Sequence, residues 1–521
     1  MALRLYNTLT KRTEEFVTRE PGKAAIYVCG PTVYDRSHLG HMRAAIIFDV
    51  LRRYLEAKGY RVTHVQNITD VEDKIIARAQ ADGVAVDAIT SRYIDEYRQA
   101  CRTLNVLPPH VEPRATQHIA EMIEMIQRLM QKGYAYYAEG DVYFDITTLP
   151  GYGKLSGRAL EELRAGARVE PGEFKRHPAD FALWKKAKPG EPSWDSPWGR
   201  GRPGWHIECS AMSLKYLGMG FDIHGGGDDL IFPHHENEIA QSEAYAGSEP
   251  FARYWIHNAM VTVGGEKMSK SLRNYFAVTD ALKYYPPEVI RQALASVHYR
   301  KPIEIEEARL EDAARAVDRL RAALVSADTV ITRAAGRAAG GDDSQALRRA
   351  ATRARAGFEA ALDEDLNTSG ALAAVFDLVA EINRWTDQVL KGTLGSDQLL
   401  PGLEEARQTL ATTTGILGVD LERAPDAEIV RRVRELAATL RQEKAHLFPG
   451  EPGDTLDDLV AFILAGRERA RAARDYSTAD LIRARMVEVG IVVEDLPTGP
   501  RWRVAMPNGR RPPSHAAHPG S

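Results

Sequence analysis

Cysteine is scarce in this chain: Cys29, Cys101 and Cys209 are its three, odd in number and far apart among 521 residues. That number and spacing fit reduced thiols or metal ligands better than a disulfide framework. Long apolar runs are missing as well. The opening MALRLYNTLTKRTEEFV has no apolar core of signal-peptide length, and no uncharged apolar stretch later in the chain is long enough to span a bilayer. A leader or membrane segment is therefore not expected, and a cytoplasmic location is. Nor is there a surplus of basic charge. Lys+Arg 68 against Asp+Glu 72 leave a net charge of -4, so any contact with nucleic acid has to come from local basic patches.

What is present is length enough for about three or four domains, and a clear alternation of strand and helix. KAAIYVCG reads as a buried strand, HMRAAIIFDVLRRYLEAKGY as an amphipathic helix closed by Gly59, and RVTHVQNIT as a second strand. Together they predict a β-loop-α-β unit of a doubly wound parallel sheet, an α/β fold. From about 86 to 205 come two helical stretches, the strand DVYFD and a polar loop, which read as an insertion in the sheet domain. The α/β pattern then resumes through IHGGGDDLIFPHHENEIAQ and YWIHNAMVTVGGEKMSKS. After about residue 300 the chain is helical and rich in Ala and Arg, with RAAGRAAGGDDSQ as a linker whose glycines break the period. The last hundred or so residues predict two or three helices, the strand GIVVEDL, and a Pro/Gly-rich tail expected to be disordered.

Three clusters carry candidate chemistry. HLGH, residues 38–41, lies in the loop between the first strand and its helix. Gly40 lets backbone approach a ligand there, the helix N-terminus favours phosphate, and His38 and His41 can hydrogen-bond phosphate oxygens. Alone, the same four residues also read as loop histidines solvating a helix cap. VGGEKMSKS places Lys267 and Lys270 after two glycines, a composition that permits a mobile loop closing two ammonium groups on a triphosphate, or simply a solvated lysine run. Cys29, Cys209, His234 and Glu238 offer two sulfurs, a nitrogen and an oxygen, types that suit Zn2+, the last two at i, i+4. By spacing alone His235 or Glu236 fits as well, and buried packing accounts for either cysteine.

HLGH after the first strand and KMSKS after the last α/β unit, in that order, resemble the signature of class I aminoacyl-tRNA synthetases. CGPTVYD, GRPGWHIECSAM, FPHHENEIAQ and KMSKS together closely resemble cysteinyl-tRNA synthetases, with matching segments from about residue 5 to 503. The resemblance implies a class I Rossmann-like parallel-sheet catalytic domain with an insertion, then an α-helical bundle, then a small, mostly helical C-terminal anticodon-binding domain. The expected boundaries are 1–110 and 205–265 for the two catalytic halves, 111–204 for the connective insertion and 266–300 for the KMSKS and stem-contact region. The bundle follows at 301–420, the anticodon-binding domain at 421–505 and the tail at 506–521.

The implied activity is formation of cysteinyl-adenylate from L-cysteine and ATP, with Mg2+, followed by transfer to tRNA(Cys), by a monomer. His38, His41, Lys267 and Lys270 would serve ATP and the leaving pyrophosphate, with Gly40 admitting the nucleotide. The resemblance assigns one Zn2+ per chain to Cys29, Cys209, His234 and Glu238. Zinc binds a thiolate far better than an alcohol, so serine cannot imitate the substrate and an editing domain should be unnecessary. Around the metal, Trp205 is a candidate apolar wall, and Thr69 and Asp229 are candidate contacts for the substrate amino group. Each reads equally as a core aromatic or a loop cap. In the C-terminal domain Arg467, Arg471 and Arg474 at helical spacing, with Trp502, offer cationic and stacking groups for single-stranded RNA, or a solvated helix face.

The chain departs from the family at several points. KMSKSLRN carries Arg273 where glycine is usual, and Arg36-Ser37 stand where an aromatic-Ala pair is usual. Residues 424–455 and the tail carry no recognised family segment and read as additions of unassigned role. Two other functions fit parts of the pattern. A cysteine ligase acting on an amino sugar, of the mycothiol type, would lack the C-terminal match, and a silent RNA-binding relative would lack intact HLGH and KMSKS motifs. Cys101 reads as an ordinary helix-face residue.

Overall fold

Four parallel strands organise the first half of the chain in the computed structural model, which describes residues 2–159, 174–267, 276–334, 342–422, 427–496 and 499–504. They are β1 (Lys23–Val28), β2 (Arg61–Gln66), β3 (Phe221–Gly227) and β4 (Ala252–Asn258), in the spatial order β4-β3-β1-β2. The chain runs from β1 outward to β2 through helix α1 (Leu39–Ala57), then returns after a long excursion to add β3 and β4 on the other side of β1. Strand order thus reverses at β1, and the crevice at its carboxyl end is where such sheets bind ligands.

Period-two alternation divides the sheet between two apolar layers. Ile26 and Val28 of β1, with Val62, Ile223 and Ile256, face α1, in a core that continues into the later helices. Tyr27, Val65 and Trp255 face the opposite layer, formed with α2 (Trp205–Leu217) and α3 (Glu236–Ala246). Cys101, on the helix Val86–Thr103, packs against the first layer, and burial pushes its thiol up to about 12. It is a packing residue.

The excursion between β2 and β3 holds more strand than the sequence predicts. Besides Asp141–Phe144, which contains most of DVYFD, it has Ala135–Ala138, Phe181–Lys186 and Gly201–Pro203, joined in one antiparallel sheet. The two later strands are hard to see in sequence because Gly- and Pro-rich loops surround them. Asp73 ties this sheet to the parallel-sheet unit through ion pairs with Lys185 and Arg202.

Beyond β4 the hairpin Val261–Val263 and Glu266–Lys267 forms, and Val261–Val263 also pairs in parallel with Ile303–Glu304. Gly264 and Gly265 both take positive φ, 63° and 79°. They make a two-residue hairpin turn of the kind that requires such residues. The glycines therefore close a turn, and most of the lysine-bearing segment that the sequence reading takes as a mobile loop lies outside the described residues.

Four helices follow, α4 (Glu307–Ala334), α5 (Asp342–Asp363), α6 (Thr368–Leu390) and α7 (Leu400–Ile416), packed through Leu320, Leu347, Phe358, Val375 and Leu403. A separate core unites α8 (Ala427–Glu443), α9 (Leu456–Ala472), α10 (Tyr476–Glu488) and the hairpin Ile491–Leu496 with Gly499–Val504. Val433, Leu440, Leu447 and Phe448 are buried in it. Much of the 424–455 stretch is thus core structure of this unit, not an appendage. The tail 506–521 lies outside the described residues, and no helix among the described ones is long and apolar enough to cross a membrane.

Candidate active site

Cys29 follows β1 directly, and its N–H donates to the Gly225 carbonyl of β3 at 3.0 Å, which holds the thiol at the carboxyl end of the sheet. Cys209 reaches the same point from α2. His234 comes from the single π-helical turn Ile231–His235 and Glu238 from the first turn of α3. The ligand atoms of Cys29, Cys209, His234 and Glu238 lie within 4.8 Å of one another. The two sulfurs are 3.6 Å apart, Cys29 Sγ is 3.4 Å from Glu238 Oε1, and His234 Nε2 is 3.1 Å from the same oxygen. Cys209, His234 and Glu238 are buried and Cys29 is nearly so. Buried charge clusters of this composition are costly unless paired or bound to a metal.

The electrostatics pre-form donors. Burial raises the Cys29 thiol well above its ordinary value, with Cys209 adding to the effect. At Cys209 burial acts the same way, but the hydrogen bond from Cys29 and the neighbouring His234 outweigh it and bring the thiol to about 6. Burial likewise opposes the charged forms of His234 and Glu238, yet the two hold each other ionised, His234 at about 10 and Glu238 at about 2.

A second ring of histidines surrounds these four. His224 Nε2 donates to Glu238 Oε2 at 2.8 Å while its ring stacks on Trp255. His206 lies three residues before Cys209 on α2, and its Nδ1 meets His234 Nδ1 at 2.9 Å. Burial, with His234 beside it, keeps His206 neutral, so it accepts the His234 proton and aims the other ring nitrogen at the cluster. His235 Nε2 sits 3.3 Å from Cys29 Sγ, and its Nδ1 pairs with His257 at 2.7 Å. Cys29, His224, His235 and Glu238 consequently form a second possible set of ligands that shares two members with the first. Glu236 points elsewhere: it accepts the backbone N–H groups of Leu155 and Ser156.

The substrate-pocket candidates separate. Trp205, at the start of α2, packs its ring 4.2 Å from that of His234, as a wall would. Thr69 is buried and donates to Glu208 Oε2 at 2.9 Å. Asp229 is exposed on the turn Asp228–Leu230 just beyond β3.

The HLGH loop opens α1. The rings of His38 and His41 stack with centroids 3.7 Å apart, and His41 Nδ1 accepts the His38 backbone N–H at 3.3 Å. A Cβ on Gly40 would sit 2.9 Å from the His38 ring, so the glycine makes room for that imidazole. Residues 276–278 zip onto the loop, Leu39 N–H to Phe276 O and Val278 N–H to Ser37 O. Arg36 adds an ion pair to Asp280 at 3.1 Å and a hydrogen bond to Thr279. Lys267 ends the hairpin strand, where its backbone alone is described, while Lys270 and Arg273 lie outside the described residues.

In the C-terminal unit the three arginines do not share one exposed face. Arg467 is 3% exposed and forks onto both oxygens of Asp495, at 2.7 Å each. Its guanidinium is an internal brace between α9 and the hairpin, which corrects its assignment to an RNA-facing surface. Arg471 reaches the same Asp495 at 3.3 Å but stays exposed, as does Arg474, and Trp502 is half-buried against the core.

The family model described as tRNA synthetases class I (C) catalytic domain matches residues 15–315. A DALR domain matches 357–422 and a cysteinyl-tRNA ligase anticodon binding domain 454–503. Cysteine–tRNA ligase of Desulfitobacterium hafniense is 48% identical over 502 residues, 96% of this chain and 99% of the relative. That of Geobacter sulfurreducens is 49% identical over 507 residues, 97% and 100% of the two chains. The chain belongs to the cysteine–tRNA ligase family. Among solved structures, methionyl-tRNA synthetase of Mycobacterium tuberculosis in complex with methionyl-adenylate superposes with a TM-score of 0.56 at 17% identity, covering 76% of this chain and 89% of that one. It shares the class I synthetase fold.

Sequence reasoning missed the histidine ring. His206 carried a usable signal, three residues before Cys209 and so on the same helix face. His224 carried none, because its partner Glu238 becomes a neighbour only when β3 and α3 pack together.

Proposed function

We propose that this protein activates L-cysteine with ATP and transfers it to tRNA(Cys), with zinc at Cys29, Cys209, His234 and Glu238 selecting the substrate thiol. The observation that carries the reading is the convergence of those four side chains at the switch point of the sheet, in the loop system that also presents HLGH. A cysteine carboxylate oxygen attacks the α-phosphorus of ATP, the bond to the bridging oxygen breaks and pyrophosphate departs with its electron pair. A ribose hydroxyl of the terminal adenosine then attacks the acyl carbon, loses its proton and displaces AMP.

The chain's own part is position and charge. His38 and His41, at the N-terminus of α1, donate to phosphate oxygens. Lys267 and Lys270, with Mg2+, neutralise the departing pyrophosphate. In this reading Trp205 walls the side-chain pocket, and Thr69, hydrogen-bonded to Glu208, and Asp229 contact the amino group. A zinc ion in this donor set supplies a soft Lewis acid that prefers a thiolate to an alcohol. Arg471, Arg474 and Trp502 supply charge and a stacking surface for the anticodon, a task for which an amino-sugar ligase has no use.

The direct test is ATP–pyrophosphate exchange with each amino acid in turn, alongside filter binding of tRNA. Exchange stimulated by cysteine alone, with retention of tRNA, is expected. Exchange with another amino acid, or none with cysteine, would overturn the assignment.

The donor set also fixes a pH dependence. Near neutrality the metal-free cluster holds protons on His234 and Cys29, while Cys209 at about 6 is largely ionised. Binding must therefore release about two protons, and zinc affinity should rise by roughly 100-fold per pH unit from 7 to 8. Competition with a chromophoric chelator across that range measures the slope. A flat profile would mean that the cluster is already deprotonated.

A further inference from the structure

Arg43 stands two residues beyond His41 on α1, and its side chain is wholly buried. Burial depresses it to about 10, and the negative charge acting on it is that of Asp228. Its hydrogen bonds go to four main-chain carbonyls. Nη1 donates to Met260 O at 3.2 Å, and Nη2 reaches His298 O and Tyr299 O at 3.3 Å each, and Lys301 O. Carrying a guanidinium charge into the interior is expensive, and an apolar side chain of similar length would fill the space at lower cost. Its fork geometry, however, is suited to gathering several acceptors at one point.

Those carbonyls mark a specific junction. Met260 is the last residue before the hairpin, and its carbonyl also receives the N–H of Ile303 at 3.1 Å. Tyr299 O receives the N–H of Ala259 at 2.8 Å. Arg43 thus holds the place where the chain leaves β4 and enters the hairpin whose second strand ends at Lys267. The far side of the KMSKS segment is tied to the same helix entrance, through the backbone bonds of Phe276 and Val278 with Leu39 and Ser37. Both ends of the lysine-bearing segment are therefore referred to α1, one by backbone pairing and the other by a single side chain.

We propose that Arg43 is a positioning residue of the activation step, fixing the root of the KMSKS hairpin against the helix that begins at HLGH. The inference rests on the reading of those two motifs as the ATP-handling groups. Arg43 does not touch substrate. It acts through Lys267 and Lys270, by setting where the segment that bears them starts.

The test is a double-mutant cycle in cysteine-dependent pyrophosphate exchange, with Arg43→Lys, Lys270→Ala and the pair, on full-length protein checked by thermal unfolding. Arg43→Lys should lower kcat by about 10- to 100-fold, the cost of a misplacement of about an ångström. The KM for cysteine, whose pocket lies at the metal cluster, should stay within about twofold. In the Lys270→Ala background the same change should lose most of its effect, because the group it positions is gone. Additive losses in the cycle, or a KM for cysteine that rises in step with the fall in kcat, would assign Arg43 to general stability and overturn the proposal. Should Arg43→Lys fail to fold, Arg43→Met, which buries no charge, takes its place, and failure of both would also overturn it. If instead the unmodified protein shows no cysteine-dependent exchange, or Lys270→Ala exchanges normally, the reading of the ATP motifs is what fails.

Discussion

Cys209→Ser should leave the protein folded but nearly free of metal, with cysteine-dependent pyrophosphate exchange reduced by at least about 100-fold. Changes to groups that merely orient a ligand cost about 10- to 100-fold in metal affinity, and loss of a ligand should exceed that. The physical reason is protonation. Cys209 is held at about 6 by Cys29 and His234, so it presents a thiolate at neutral pH. A serine hydroxyl in the same place stays protonated and is a hard, weak donor for zinc. His206→Leu, which removes the acceptor behind His234, should produce the smaller, orienting loss.

The same experiment separates the two overlapping ligand sets. His234→Ala should cost metal as Cys209→Ser does, whereas His235→Ala should retain most of it, because Cys209 belongs only to the set that contains His234. Metal content by elemental analysis, read beside exchange rates, decides the matter. Full zinc in Cys209→Ser with loss in His235→Ala would move the site to Cys29, His224, His235 and Glu238.

Much of this was legible in sequence because the groups involved are declared by local pattern. β1, α1 and β2 follow from apolar periodicity, which also puts HLGH in the loop between strand and helix, whereas the reversal of strand order at β1 shows only once β3 pairs on its other side. The ligand types were legible too, although spacing left Glu236 and His235 open. The fold then gives Glu236 two backbone donors of the insertion and leaves Glu238 at the cluster. Two errors were non-local. Arg467 fits an i, i+4, i+7 stripe, but the partner that buries it, Asp495, comes from a hairpin that no helical wheel shows. Residues 424–455 read as an addition until Val433, Leu440 and Phe448 are seen to complete a core with α9 and α10. Gly264 and Gly265 read as permitting a mobile loop, although a two-residue hairpin turn needs the same residues.

That separate core is the basis of the other large effect. Ending the chain at residue 422 should leave cysteine-dependent pyrophosphate exchange within about twofold of the full-length protein while lowering aminoacylation of tRNA by about 100-fold or more. The cut falls between α7 and α8, so it removes one apolar core entire, α8 through the final hairpin, and leaves the sheet and bundle core intact. Exchange uses only cysteine, ATP and the groups around β1, all of which remain. Aminoacylation loses the exposed Arg471 and Arg474 and the half-buried Trp502. A base stacked on Trp502 is worth about 1–3 kcal/mol, and the phosphate contacts of Arg471 and Arg474 add to it, together enough for a loss of that size. The loss should fall mainly on the KM for tRNA and on the salt dependence of binding, since fewer phosphates would be neutralised. Arg467→Met in the full-length chain provides the contrast. It breaks the brace to Asp495 without removing an exposed cation, so it should lower the unfolding temperature of the C-terminal unit more than it lowers tRNA affinity in the folded protein. If the truncated enzyme, folded and active in exchange, charges tRNA as well as the full chain, the C-terminal unit does not bind the anticodon, and recognition must lie in the bundle α4–α7.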